Sequence, residues 1–388
     1  MKKNSDERSK ITLMATAAFG LEAIVSREIK SLGYEVVETE NGRVTFTGPV
    51  EAICRSNLWL RTAERVLLKV GEFQAKTFDE LFEKTKALDW SQWIPENGKF
   101  PVIGKSIKSQ LGSVPDCQAI VKKAVVESMK KKYRKEWFEE KESEYRIEVA
   151  LLKDKVTLTI DTSGEGLHKR GYRRSTHQAP LKETLASALI QLSFWKPERV
   201  LIDPFCGSGT IPIEAALIGK NLAPGMNRDF ISESWPWIPA EEWRQARKET
   251  HDVANFDQSI QIQGFDTDER ALNSARYYAQ EAFLEDEIHF EKRDFRELRS
   301  RYYYGCVITN PPYGERMGEE EEIRQLYREF GEVLKPLETW SKYILTAYPD
   351  LEEDFGKKAD RRRKLYNGRI MCQYYQYQGP RPPKKQED

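Results

Sequence analysis

Between residues 198 and 347 five apolar runs, ERVLID, IQIQGFD, EIHFEKRD, GCVITN and SKYILTA, are separated by stretches long enough for helices. That alternation constrains the fold most, because strands joined by helix-length connections build a mostly parallel, doubly wound sheet with helices on both faces. The first four runs end in or lead directly to residues that can do chemistry: Asp203, Asp266, Asp294 and Asn310. In a parallel sheet such ends converge on one crevice. The expected fold class is α/β for a domain over 179–380.

The first 160 residues have a different rhythm. Strand-like runs (TLMATAA, YEVVET, RVTFTG, RVLLKVGEF, FPVIGKSIKS) mix with helical patterns near 21–31, 50–58, 78–88 and 116–133, and two further strands are expected around Ile147 and Leu158. Small α+β units fit this mixture. The Glu-rich stretch from Glu136 to Glu148 reads as a solvated helix end or loop. A linker is expected over 164–178 and a frayed tail over 381–388, while the loop from Asn221 to Ala240, with Trp235 and Trp237, is long enough to be a functional insertion.

Charge and cysteine usage exclude several classes. Lys plus Arg is 62 and Asp plus Glu is 62, so any basic nucleic-acid surface must be local. Five dispersed cysteines (54, 117, 206, 306, 372), without a CxxC pair and with four His, argue against a disulfide framework or a metal site. Asp6 and Glu7 spoil a signal-peptide reading of the N-terminus, and no apolar run reaches 18 residues. A cytoplasmic protein without a membrane partner is expected.

The first strand leads into Asp203-Pro204-Phe205-Cys206-Gly207-Ser208-Gly209-Thr210 and then the apolar helix IPIEAALIG. A glycine turn there lets a ligand approach backbone and helix N–H groups, although a tight strand-to-helix turn explains the glycines equally well. Asp266 can accept from both ribose hydroxyls of a nucleoside. Asp294 can take an adenine amino group, with the neighbouring Phe295 ring as its cover. Neither GxGxxG nor GxxxxGK[ST] occurs, which leaves S-adenosylmethionine as the leading ligand. Cys206 lacks a partner for nucleophilic work and reads as packing.

Asn310-Pro311-Pro312-Tyr313 carries the inference from ligand to reaction. The prolines stiffen the turn, so the Asn310 amide and the Pro311 carbonyl can present oxygens to an amine, and Tyr313 offers a stacking face for a base. The motif suits either a guanine N2 or an adenine N6 amine. A noncatalytic RNA-binding assembly factor that kept the pocket is a third reading.

DPFCGSGT, GFDTDER, RDF and NPPYGER, preceded by HKRGYRRSTHQAPLKETLA, resemble the THUMP-domain RNA methyltransferases that modify guanine N2. The likeness is strongest to the bacterial 23S rRNA guanine-N2 methyltransferases of the RlmL type, and it extends over nearly the whole chain. It implies a Rossmann-like, S-adenosylmethionine-dependent methyltransferase domain, preceded by a ferredoxin-like portion over 1–60 and a THUMP RNA-binding domain over 61–163. By the same resemblance, Asp203 to Thr210, Asp266 and Asp294 bind the cofactor and Asn310 to Tyr313 hold the target base. The second methyltransferase domain of some longer relatives is not expected.

Between Lys99 and Lys135 ten basic residues face only Asp116 and Glu127. Lys105, Lys108, Lys122, Lys123, Lys130, Lys131, Lys132 and Arg134 are accordingly candidates for RNA phosphate contact, and Arg170, Arg173 and Arg174 join them from the linker. A solvated helix face is the alternative for 130–135, though it leaves the strand residues Lys105 and Lys108 unexplained. A further cluster, Arg361 to Lys364, is equally well read as surface charge beside a strand.

Overall fold

The computed structural model of the protein describes residues 10–173, 181–313 and 320–383. It divides into two compact units: one holds residues 10–17, 25–167 and 229–248, the other residues 18–24, 168–228 and those from 249 onward.

The first unit is built on a seven-stranded sheet ordered β2-β3-β1-β4-β7-β6-β5. Its strands are β1 (Ile11–Ala17), β2 (Glu35–Glu40), β3 (Arg43–Gly48), β4 (Ala63–Gln74), β5 (Val102–Ile107), β6 (Ile147–Leu152) and β7 (Lys155–Asp161). Only β5 and β6 pair in parallel. The 12-residue β4 pairs with β1 through its first half and with β7 through its second. The portions expected over 1–60 and 61–163 therefore share one continuous sheet.

Helices α1 (Glu22–Ser31), α2 (Glu51–Trp59), α3 (Phe78–Lys86) and α4 (Val114–Tyr133) follow the expected patterns. Helix α4 begins two residues before the Asp116 anticipated from sequence, because Pro115 fits the first turn, where no N–H partner is needed. The long loop after residue 221 takes an unexpected course: residues 229–248 belong to the first unit. There Trp235 stacks on Tyr145 at 4.7 Å and donates its indole N–H to the Glu144 carbonyl. Phe230 stacks on Trp243 at 5.4 Å. The anticipated insertion thus supplies core.

The second unit carries a seven-stranded sheet ordered β10-β9-β8-β11-β12-β14-β13. Its strands are β8 (Leu201–Asp203), β9 (Ile262–Asp266), β10 (Ile288–Lys292), β11 (Cys306–Thr309), β12 (Ser341–Thr346), β13 (Arg361–Asn367) and β14 (Ile370–Tyr377). The first five named in that order run parallel, and the β13–β14 hairpin closes the far side antiparallel. Helices α5 (Glu183–Gln191), α6 (Thr210–Gly219), α7 (Ala240–Asp252, which crosses between the units), α8 (Glu269–Glu281), α9 (Glu320–Leu334) and the short α10 (Leu351–Asp354) complete the list. The chain moves outward from β8 to β10 and then returns to place β11 beside β8. The β8/β11 boundary is a topological switch point, where a doubly wound sheet opens a crevice beyond its strand ends. Among the described residues no helix is long and apolar enough to cross a membrane.

Candidate active site

Asp203 closes β8 at the switch point and is 1% exposed. Its Oδ1 accepts from the Thr309 hydroxyl at 2.6 Å and the Phe205 N–H at 3.2 Å. The carboxyl therefore ties the loop after β8 to the last residue of β11. Burial pushes its pKa up to about 7.

The turn that follows needs its glycines. Gly207 and Gly209 have φ of +51° and +80°, which L side chains rarely adopt. A Cβ on Gly209 would also meet Ala275 and Phe290 at 2.9 Å, whereas one on Gly207 would meet nothing within 4 Å. Gly209 is thus required by both conformation and packing, and Gly207 leaves an open approach to backbone.

Asp266 at the end of β9 is oriented by that turn. Its Oδ2 accepts from the Gly207 N–H at 2.8 Å and its Oδ1 from the Asp268 N–H at 2.9 Å. Each oxygen keeps a second lone pair for a hydroxyl. Asp294 accepts from the Arg296 N–H at 2.8 Å and pairs with its guanidinium at 2.9 Å. Phe295, expected as a ring cover, is 5% exposed and packs on Phe205 and Phe330 at 5.0 and 5.6 Å. It seats the Asp294 turn from the core. Pro204 is buried, and Cys206 is 7% exposed with burial pushing its thiol well up, which suits packing.

Asn310 follows β11 directly, and its Oδ1 is buried with no hydrogen-bond partner among the described residues. A buried amide oxygen without a donor is costly, and an amine hydrogen would satisfy it. Pro311 is buried, Pro312 is exposed and Tyr313 is half-buried. The Pro312 carbonyl accepts from the Tyr327 hydroxyl at 3.1 Å, and that hydroxyl is 2.7 Å from Thr346 Oγ1. Tyr327, fully buried on α9 and stacked on Tyr348 at 5.1 Å, fixes the motif from behind. Sequence reading missed it, since nothing local marks one tyrosine of an amphipathic helix.

Two linker arginines need correction. Arg170 is no surface residue: it is 2% exposed and paired through Nε and an Nη with Glu214, itself fully buried. Arg173, with 8% of its side chain exposed, pairs with Glu183 at 2.7 Å. It also donates to Thr210 Oγ1 at 2.7 Å and to Ser208 Oγ at 3.3 Å, so it braces the glycine turn. Arg174 lies outside the described residues.

The basic count over 99–135 is corrected too, because it stopped just short of the acids that answer it. In the Glu-rich stretch Glu136, Glu140, Glu144 and Glu148 pair with Lys130, Lys122, Lys99 and Lys105 at 2.9, 2.5, 3.2 and 2.6 Å. Lys122 is half-buried over the Phe100 ring at 3.5 Å, and burial lowers its pKa. Lys105, Lys122 and Lys130 are therefore committed to carboxylates. Lys108, Lys123, Lys131, Lys132 and Arg134 remain exposed, without an ion pair to a described acid.

Comparison with known proteins fits this geometry. Residues 170–376 match the family described as RMKL-like, methyltransferase domain; 12–67 match an RlmL ferredoxin-like domain and 75–161 a THUMP domain. YpsC of Bacillus subtilis (strain 168), named as a candidate RNA methyltransferase, is 53% identical over 98% of this chain and 99% of its own. The ribosomal RNA large subunit methyltransferase K/L of Syntrophotalea carbinolica is 34% identical over 93% of this chain, which spans 53% of that protein. A Listeria monocytogenes crystal structure, described as a predicted N6-adenine-specific DNA methylase, superposes with a TM-score of 0.93 at 53% identity, covering 98% of this chain and 99% of that one. SMU.472, crystallised with S-adenosylhomocysteine, superposes with a TM-score of 0.92 at 44% identity, over 99% of this chain and 100% of its own.

Proposed function

Because the chain belongs to the RMKL-like methyltransferase family, we propose that it methylates the exocyclic N2 amine of a guanine in 23S rRNA, using S-adenosylmethionine. The carrying observation is the buried, unpartnered Oδ1 of Asn310 beside the switch-point turn. The open backbone at Gly207 and the lone pairs left on Asp266 fit the cofactor. In this reading the turn from Asp203 to Thr210 takes its methionine portion, Asp266 its ribose and Asp294 its adenine amine. Bound there, S-adenosylmethionine supplies an electrophilic methyl group on a sulfonium.

The chain's own residues then act by placement. Asn310 Oδ1 and the Pro311 carbonyl accept the hydrogens of the base amine and favour the pyramidal geometry of attack. Tyr313 stacks on the base, a contact worth about 1–3 kcal/mol. No strong base is needed, since alignment of reactants alone can supply about 7–11 kcal/mol and the proton leaves after transfer. Lys108, Lys123, Lys131, Lys132 and Arg134 on the THUMP portion contact phosphates, which position RNA without choosing the base.

The test is methyl transfer to protein-free 23S rRNA followed by nucleoside mass spectrometry. N2-methylguanosine is expected. N6-methyladenosine would instead extend the description of the Listeria neighbour to this chain, and no transfer to any RNA would favour a binding role.

A further inference from the structure

The β13–β14 hairpin ends in a surface that the cofactor and base sites do not use. Residues 361–371, RRRKLYNGRIM, contain five basic residues and no acid, in a chain of zero net charge. Strand register places the hairpin tip. Thr309, the last residue of β11, lies level with Ile344 of β12, and Ile344 pairs with Tyr375 of β14. Asn310 and Pro311 therefore come level with Tyr374 and Gln373. Strand β14 begins at Ile370, three residues further out, and there pairs with Asn367 of β13. At about 3.3 Å per residue and 4.8 Å per strand, the tip rises about 10 Å beyond Pro311 and about 10–15 Å to its side. It projects at the end of the sheet that carries Asn310 to Tyr313.

The tip combines charge with exposed apolar and aromatic surface. Lys364 and Arg369 are exposed, with no ion pair to a described acid, and the Lys364 ammonium lies 5.6 Å from the Tyr366 ring centre. Phe19, 50% exposed, meets Tyr366 edge-on at 5.9 Å, and Ile370 and Met371 are 38% and 47% exposed. Lys364, Tyr366 and Met371 share one face of the hairpin, since Tyr366 pairs with Met371 and Lys364 lies two residues before it. Basic residues on an edge strand can serve only to block strand pairing. That role requires no exposed Phe, Ile and Met beside them.

We infer that this tip contacts the single strand of RNA flanking the target base, with Lys364 and Arg369 on phosphates and the Phe19–Tyr366–Met371 surface under an unstacked base. Cation and ring alternate as single-strand binders require. The inference rests on the reading of the chain as an RNA methyltransferase, and the test separates the two. The full-length protein is photocrosslinked to in vitro transcribed 23S rRNA containing 4-thiouridine, and the adducts are mapped by mass spectrometry. Beside this, Lys364→Ala with Arg369→Ala is assayed for RNA affinity across salt and for S-adenosylhomocysteine affinity. Adducts at Phe19, Tyr366 or Met371 are expected, with at least fivefold weaker RNA binding, a salt slope reduced by about 1.5 and unchanged S-adenosylhomocysteine affinity; each phosphate contact accounts for about 0.7–0.9 of slope. If adducts form elsewhere and the slope is unaltered, the inference is overturned even where methyl transfer is observed. If adducts fall on the hairpin but no methyl is transferred, the contact stands and the activity reading falls.

Discussion

Tyr327→Phe isolates a hydroxyl that holds the proposed base-binding motif from behind. The ring is fully buried and stacks on Tyr348 with an interplanar angle of 4°, and phenylalanine keeps both. Lost are the bond to the Pro312 carbonyl at 3.1 Å and that to Thr346 Oγ1 at 2.7 Å. Two neutral hydrogen bonds contribute about 1–3 kcal/mol net. Exposed Pro312 can turn its carbonyl to water, but the buried Thr346 hydroxyl, which donates to the Tyr327 oxygen because the phenol proton goes to Pro312, is left without its acceptor, so the middle of that range applies. A loss near 2 kcal/mol lowers Tm by about 4–8 °C in a unit of this size.

Catalysis should suffer more than stability. Once the Pro312 carbonyl turns outward, Asn310 and Pro311 lose their fixed aim, and misplacement by about 1 Å can cost 100-fold in rate. Single-turnover methyl transfer is expected to fall ten- to 100-fold, while calorimetric affinity for S-adenosylhomocysteine stays within about twofold. Burial raises the Tyr327 phenol, so the hydroxyl donates across the working pH range and the defect should not vary with pH. A variant that melts a few degrees lower yet transfers methyl at the parent rate would refute the positioning role.

Four further outcomes are expected. Asp266→Ala should weaken S-adenosylhomocysteine binding at least tenfold by calorimetry, since it removes the proposed ribose acceptor and releases the Gly207 N–H. Asp203 is buried with its pKa raised from 3.8 to about 7, so its stability contribution is complete below pH 4 and lost as pH rises through 7. Denaturant titrations from pH 4 to 8 should then show Asp203→Asn gaining on the parent by at most roughly 4 kcal/mol, and parallel pH curves would contradict the raised pKa. Arg170→Ala leaves the buried Glu214 without its cation, with the Ser187 and Tyr172 hydroxyls still beside it, at a cost of about 3–5 kcal/mol, and an unchanged melting temperature would return Arg170 to the surface. Lys123, Lys131 and Lys132 changed together to Gln should lower the salt slope of RNA binding by about 2–3, whereas the paired Lys105 and Lys122 should barely move it.

What the sequence displayed of this site was whatever one strand end could carry alone. Asp203, Asp266, Asp294 and Asn310 stand at the C-terminal ends of runs whose period and spacing are visible, and the parallel sheet brings them to one edge. Helices α1 to α4 of the first unit and α6 were legible for the same reason: apolar periodicity is local. Partnership is not. Arg170 and Lys122 look alike in sequence as exposed cations, and Glu214 and Glu140, 44 and 18 positions away, decide otherwise. Tyr327 and Pro312 meet only because α9 packs beside the end of β11.

The same distinction orders the charged residues by function. In a chain with equal numbers of acids and bases, a basic residue acts on solvent or RNA only where the fold has not already spent it on a carboxylate. The Glu136–Glu148 stretch, four residues per step, takes Lys99, Lys105, Lys122 and Lys130 and leaves the end of α4 with Lys131, Lys132 and Arg134. Glu183 and Glu214 take Arg173 and Arg170 into buried ion pairs, with Arg173 also held against Ser208 and Thr210. The β13–β14 hairpin has no acid of its own, and Glu352 pairs with Arg362. Net charge therefore says nothing about where RNA can bind. The unpaired cations do, and two of them on the second unit, Lys364 and Arg369, stand at the sheet end that bears Asn310.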